Sequence, residues 1–177
     1  MAGHNKWSKI KHKKAAGDAK KSKEFSKLAR LIASESKKSG GDKNSPGLRA
    51  AIEKARSINM PSDNIERAVK KGSGSDAGEM FETIYESYGP GGCAIIIESL
   101  TDNKNRTSAE IKHLLSQYNT TLAEQGSASW AFEKTSEGMS PKTTIKLPAE
   151  DAESLKKLVS ALEDNDDVQK VYTNAAE

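Results

Sequence analysis

A single cysteine, Cys93, rules out an internal disulfide and any zinc or iron–sulfur site built from several cysteines. The three histidines, His4, His12 and His113, stand at no metal-ligand spacing, and neither His-Glu-x-x-His nor Cys-x-x-Cys occurs. Gly72, Gly74 and Gly78 do not match the dinucleotide fingerprint, and no phosphate-binding loop of the Gly-x-x-x-x-Gly-Lys type is present. The most continuous apolar run is Cys93-Ala94-Ile95-Ile96-Ile97, far short of the roughly 18–20 residues that span a bilayer. The first residues lack the apolar core of a secretory signal and are too poor in arginine for a transit peptide. A reducing cytoplasm is the expected compartment, with no membrane partner and no cofactor. The catalytic inventory is thin enough that no enzyme is predicted.

What the sequence has in quantity is charge, and it is segregated. Residues 1–75 carry 19 Lys+Arg against 7 Asp+Glu, and residues 76–177 carry 9 against 18. The formal net charge of +3 is thus the sum of a strongly basic part and a strongly acidic one. Asymmetry of this size points to nucleic acid or another polyanion as the partner of the basic part. The densest stretch, Met1 to Lys14, holds five lysines with Trp7 and Ile10 as its large apolar residues. So little apolar surface does not offset the entropy of ordering, which predicts a mobile basic arm in the free protein. Lysine-rich ends also serve solubility alone, but an aromatic such as Trp7 is not needed for that.

From about Ala15 to Ser36 the pattern is helical, with Phe25, Leu28, Ala29 and Ile32 as the apolar stripe. Lys13, Lys20 and Lys27 recur every seven residues on one face, flanked by Lys23 and Arg30, which predicts a cationic ridge opposite the core. Ser45 and Pro46 read as the start of a second helix buried through Leu48, Ala51, Ile52, Ala55 and Ile58 and stopped at Met60 by Pro61. Asp63 and Glu66 stand at capping-box spacing in a third, with Gly72 as its expected C-cap. Ser73–Gly78 is the linker where the charge changes sign.

Beyond it, Phe81–Tyr88 and Cys93–Leu100 read as strands around the turn Gly89–Gly92, the second strand central. Asn105–Tyr118 reads as a helix, Ala128–Lys134 and Lys142–Leu147 as strands, Ala149–Glu163 as a helix with Ala152 among its inward residues, and Val168–Thr173 as the last strand. The sheet is expected to close around Ile95, Ile97, Trp130, Leu155 and Val171. The expected fold class is α+β: a basic arm and three-helix domain over 1–75, then an α+β domain over 79–177 whose mixed sheet is covered by two helices.

One loop concentrates chemistry. Thr101-Asp102-Asn103-Lys104-Asn105-Arg106-Thr107 joins the central strand to a helix. Asn103, Lys104, Asn105 and Arg106 beside helix N–H groups can hold a phosphate or a base edge. Helix capping by Asp102 or Asn103 is the competing account. Tyr88-Gly89-Pro90-Gly91-Gly92 reads as a tight turn rather than a phosphate cradle, because Pro90 lacks an N–H. Cys93 reads as an inert core thiol, and Glu163-Asp164-Asn165-Asp166-Asp167 as a solvated turn without the calcium-loop glycine.

The chain resembles the YebC/PmpR family of bacterial proteins, whose mitochondrial relative is a translational activator. The resemblance rests on Met1-Ala2-Gly3-His4-Asn5-Lys6-Trp7, Lys11-His12-Lys13, Tyr88–Gly92, Thr101–Thr107, Gly126-Ser127-Ala128-Ser129-Trp130 and Asp166–Asn174. It implies a helical first domain, an α+β second domain, and a role either as a DNA-binding transcriptional regulator or as a ribosome-associated translation factor. Members of the family usually carry a third, ferredoxin-like domain inserted within the second. Here only Thr135-Ser136-Glu137-Gly138 stands where that insertion is expected.

The favoured reading is a non-catalytic RNA- or ribosome-binding translation factor, with ribosomal RNA or duplex DNA as the contacted nucleic acid. Lys6, Lys9, Lys11, Lys13, Lys14, Lys20, Lys23, Lys27 and Arg30 would meet phosphates, and Trp7 or His12 would stack on an unpaired base. The Thr101–Thr107 loop would add a second contact. The alternative is a DNA-binding transcriptional regulator, against which lysines outnumber the Arg, Asn and Gln that read base edges. A protein-interaction scaffold using the acidic part is the third option.

Overall fold

The computed structural model describes residues 4–176; the side chains of residues 4–13 and of Ala15 lie outside the described set. The chain divides into two compact units, Met1–Gly78 and Glu79–Glu177.

The first unit holds α1 (His4–Ser39), α2 (Pro46–Ser57) and α3 (Ser62–Ser73). Helix α1 starts at His4, so the backbone expected as an arm is helical and the boundary near Ala15 is absent. Lysine is a good helix former and no proline interrupts the segment, so continuation is cheap. Leu28 and Ile32 are buried against Leu48, Ile52, Ala55, Ile65 and Val69.

Three local expectations give way. Helix α2 ends at Ser57 rather than Met60, because Asn59 turns left-handed (φ 61°) and Met60 N–H bonds back to Ala55 O at 3.0 Å. The capping box of α3 does not form: Pro61 precedes the helix, and the Glu66 carboxylate takes Lys43 Nζ at 2.6 and 2.8 Å. Gly72 is no cap but a buried contact inside α3, where a Cβ would lie 2.1 Å from Ala33 O of α1. The missing side chain is what lets the two helices approach, and Ser36 Oγ bonds Val69 O at 2.7 Å beside it.

The second unit contains β1 (Phe81–Tyr88), β2 (Ala94–Thr101), α4 (Lys104–Ser116), β3 (Phe132–Thr135), β4 (Gly138–Pro141), α5 (Ala149–Glu163) and β5 (Val168–Thr173). The main sheet has the order β1-β2-β5, with both pairings antiparallel, and β3-β4 is a separate hairpin. A parallel bridge joins Ile145 to Ala175 beyond the end of β5. Strand alternation divides the core. Ile95 and Ile97 pack with Ile111, Leu115, Leu158 and Leu162 of the helices, whereas Ala94 and Ile96 meet Ala128, Ala131 and Phe132. The turn between β1 and β2 needs Gly91, whose φ is 67° and whose Cβ would meet Leu147 at 2.6 Å.

The strand expected over Ala128–Lys134 is a 3-10 turn, Ser129–Ala131, followed by the short β3. Lys142–Leu147 is not a ladder strand; it holds to the sheet through Ile145 N–H to Asn174 O at 2.8 Å. Ala152 is exposed, and so is Trp130 at 57%.

The turn has an identifiable organiser. Glu86, 5% exposed on β1, accepts from Gly126 N at 2.7 Å, Ala128 N at 2.7 Å and Ser129 N at 2.9 Å. Burial alone pushes this carboxyl up, but the three backbone donors outweigh it and hold it below the usual carboxylate range. A depressed folded pKa means that the contribution is present above the unfolded value, about 4.3, and is lost as pH falls through the folded one. Acid titration of unfolding free energy is therefore expected to show a loss below that pH in the parent. Glu86→Gln is expected to be less stable at pH 7 by about 2 kcal/mol and to converge on the parent in acid. Parallel curves at all pH values would count against this role.

Cys93 is fully buried, and burial pushes its thiol pKa up. Cys93→Ala is expected to cost about 1 kcal/mol and leave nucleic-acid affinity unchanged. Alkylation of Cys93 in the native protein, faster than unfolding, would contradict an inert thiol.

Candidate nucleic-acid interface

Two groups of sequence-predicted residues are placed, one in each unit. On α1, every residue from Ala16 to Ser22 is exposed, and Lys14, Lys20 and Lys21 lie in or beside this stretch, with Lys21 Nζ over the Phe25 ring at 5.6 Å. The apolar stripe engages the core only from Phe25 onward. The ridge is less uniform than the heptad spacing predicts. Lys23, Lys27 and Arg30 are half-buried and each is engaged within the chain. Lys6, Trp7, Lys9, Lys11, His12 and Lys13 belong to α1 by backbone, and their side chains lie outside the described residues.

The loop between β2 and α4 is built around a member of the acidic run, a residue the sequence pattern assigns to solvent. Asp167, 2% exposed at the start of β5, accepts from Thr107 Oγ1 at 2.7 Å, Arg106 Nη2 at 2.9 Å and Thr101 Oγ1 at 3.1 Å. Its backbone is held as well: Leu100 N–H donates to Asp167 O at 2.8 Å, and Asp167 N–H to Asn165 Oδ1 at 2.9 Å. The acidic run is therefore not wholly solvated. Four of its members keep some exposure while Asp167 turns inward, because Val168 after it enters the buried register of β5. No local pattern marks Asp167, whose partners lie about sixty residues earlier; only its place in the Asp166–Asn174 motif singles it out.

Both accounts of the loop find residues here. Asn103 caps α4, its Oδ1 accepting from Arg106 N–H at 3.0 Å. Arg106 is held between carboxylates, with Nη2 2.8 Å from Asp102 and 2.9 Å from Asp167. Those hydrogen bonds push its pKa further up and keep the guanidinium charged. Much of its charge is thus answered inside the chain, although the side chain stays 44% exposed. Lys104 lies over the Phe81 ring at 4.3 Å, and Asn105 is exposed. The outward part of the loop runs from Asp102 to Arg106, with Lys104, Asn105 and Arg106 in the first turn of α4. Among the described residues no group of His, Cys, Asp or Glu forms a metal site, and no helix is long and apolar enough to cross a membrane.

A helical unit with a basic leading helix is thus followed by an α+β unit whose central strand feeds a polar helix-capping loop, an architecture shared with known proteins. A family profile described as the TACO1/YebC protein N-terminal domain matches residues 5–75. Another, the TACO1/YebC second and third domain, matches residues 80–137 and 133–175. The chain belongs to the TACO1/YebC family. A probable transcriptional regulatory protein of Thermosipho africanus is 42% identical over 235 aligned residues, covering 98% of this chain and 93% of the relative. One from Geobacter sulfurreducens is 39% identical, covering 98% and 95%. The crystal structure of a conserved hypothetical protein from Aquifex aeolicus superposes with a TM-score of 0.80 at 31% identity, covering 90% of this chain and 91% of that one.

Proposed function

We propose that this chain is a nucleic-acid-binding regulator of gene expression rather than an enzyme, and that it acts on RNA of the translation apparatus. The observation that carries the reading is the charge segregation. Residues 1–75 hold 19 of the 28 Lys+Arg, and among the described residues of α1 Lys14, Lys20 and Lys21 are exposed. A lysine-dominated helix engages phosphates without reading base edges, which suits structured RNA. Lys104, Asn105 and the rim of Arg106 supply a second contact. The rival reading, a DNA-binding transcriptional regulator, is favoured by the names that the relatives carry.

The chain also carries, in this reading, the first two of the family's three lobes. Supporting it, the second-and-third-domain profile matches in two segments that meet at residues 133–137, within the β3–β4 hairpin. The alignments likewise run over 235 positions against a chain of 177 residues. A linker of this length is ordinary in a compact unit and leaves β3 and β4 paired.

Co-sedimentation separates the readings. From a lysate at low salt, the protein is expected in the ribosomal pellet and is expected to leave it at high salt. Retention on duplex DNA, with none in the ribosomal fraction at any salt, would transfer the function to transcription.

A further inference from the structure

Trp130 is 57% exposed, the greatest value among the exposed large hydrophobic side chains of the described residues. An exposed indole is ordinarily a loosely held one, but this one is fixed from several sides. Its backbone lies in the Ser129–Ala131 turn, flanked by buried Ala128 and Ala131. Glu86 grips Ala128 N–H and Ser129 N–H at 2.7 and 2.9 Å. The indole Nε1–H donates to the Tyr88 hydroxyl at 2.9 Å, and that hydroxyl donates to Ser127 O. Tyr88 is itself 36% exposed.

The ring is thus held before any partner arrives, so little rotamer entropy remains to be lost on binding. Its only polar group is already satisfied inside the chain, so a partner is offered the π-surface alone. We infer that Trp130, braced by Tyr88, is a preorganised stacking platform for an unpaired nucleobase of a single strand. This deepens the nucleic-acid reading above and rests on it. Two rings fall far short of the roughly 800 Å² per partner of a stable protein interface, whereas one indole face matches one base. Stacking on an aromatic tolerates any base, in keeping with a chain that meets phosphates mainly through lysines. The platform is separate from the Thr101–Thr107 loop. It lies at the Tyr88–Ala94 end of the β1–β2 pair, and the loop follows the Phe81–Thr101 end, about 24 Å away along eight-residue strands.

The test uses the full chain and three labelled 12-mers: a mixed-sequence RNA strand, an abasic strand of the same backbone, and an RNA duplex. Trp130→Ala is expected to weaken single-strand binding roughly tenfold or more, with Trp130→Phe retaining most of it. Affinity for the abasic strand and the duplex is expected to change less than twofold, and the salt slope not at all, since the ring carries no charge. Tyr88→Phe, which removes the indole's acceptor and keeps a ring, is expected to lose about threefold on the single strand only. It also serves as the readout if Trp130→Ala fails to melt cooperatively. Equal losses on all three probes would show a merely structural residue and overturn the platform. Unchanged single-strand affinity in Trp130→Ala, with lysine reversals still weakening binding, would overturn the platform and leave the proposed function standing. Parent protein that binds none of the probes would overturn both.

Discussion

Replacing Lys9, Lys11, Lys13 and Lys14 with glutamate is expected to lower affinity for single-stranded RNA and duplex DNA alike, by about 10²–10³-fold at 0.15 M salt if all four meet phosphate. The same variant is expected to flatten the salt dependence by about 0.7–0.9 in log–log slope for each phosphate no longer neutralised. Both follow from counterion release: a lysine on a phosphate frees a condensed cation, and that gain shrinks as bulk salt rises. These lysines belong to α1 by backbone; Lys14 is exposed, and the side chains of the other three lie outside the described residues, so a melt must accompany the binding data. Fluorescence anisotropy across a salt series, with a thermal melt as control, reads both quantities. An unchanged affinity and slope would reduce the segment to a solubilising tail.

The second large effect concerns stability. Asp167→Ala leaves the hydroxyls of Thr101 and Thr107 and the Arg106 guanidinium without their shared acceptor. Removing one partner from a buried charged network costs about 3–5 kcal/mol. For a unit of this size that lowers its melting transition by roughly 15 °C or more. Asp167→Asn keeps the shape and one acceptor oxygen, and is expected to lose less than half as much. Calorimetry of the full chain reads the transition of residues 79–177. An Asp167→Ala transition within 2–3 °C of the parent, roughly the size of a surface change, would mean that the loop holds itself without the carboxylate.

Much of the fold is legible in the sequence because it is locally encoded. The alternation of Phe81–Tyr88, the apolar run opening β2, the stripe Leu155–Leu158–Leu162 and the Val168–Thr173 strand are each visible locally. What local pattern cannot show is capture by a distant group. The segment Ala128–Ala131 looks like a strand, yet Glu86 takes two of its N–H groups from forty residues away and bends it into a turn. Trp130 then points outward although its hydrophobicity argues for the core. Gly72 reads as a helix terminus because its role, admitting the Ala33 carbonyl, exists only once α1 and α3 have met. The candidate site divides along the same line. Lysine density and the asparagine-rich loop are visible as composition, but which cations face outward depends on Asp167 and on the packing of α1.

The antiparallel pairing of β2 with both β1 and β5 also fixes an order of events during synthesis. The β1–β2 hairpin closes across a turn of a few residues, whereas β5 joins the other side of β2 only after some seventy more have been made. Until then β2 offers an open edge of apolar residues, the kind of edge that pairs with neighbouring chains. The Thr101–Thr107 loop also waits for Asp167, since its anchoring carboxylate is among the later residues to emerge. Pairings of such long sequence separation form slowly. The helical unit, by contrast, closes entirely within residues that precede Glu79 and has no such delay. A nascent chain paused in α5 thus presents a finished basic module tethered to an unfinished sheet, and that interval is when the protein is most exposed to misassembly.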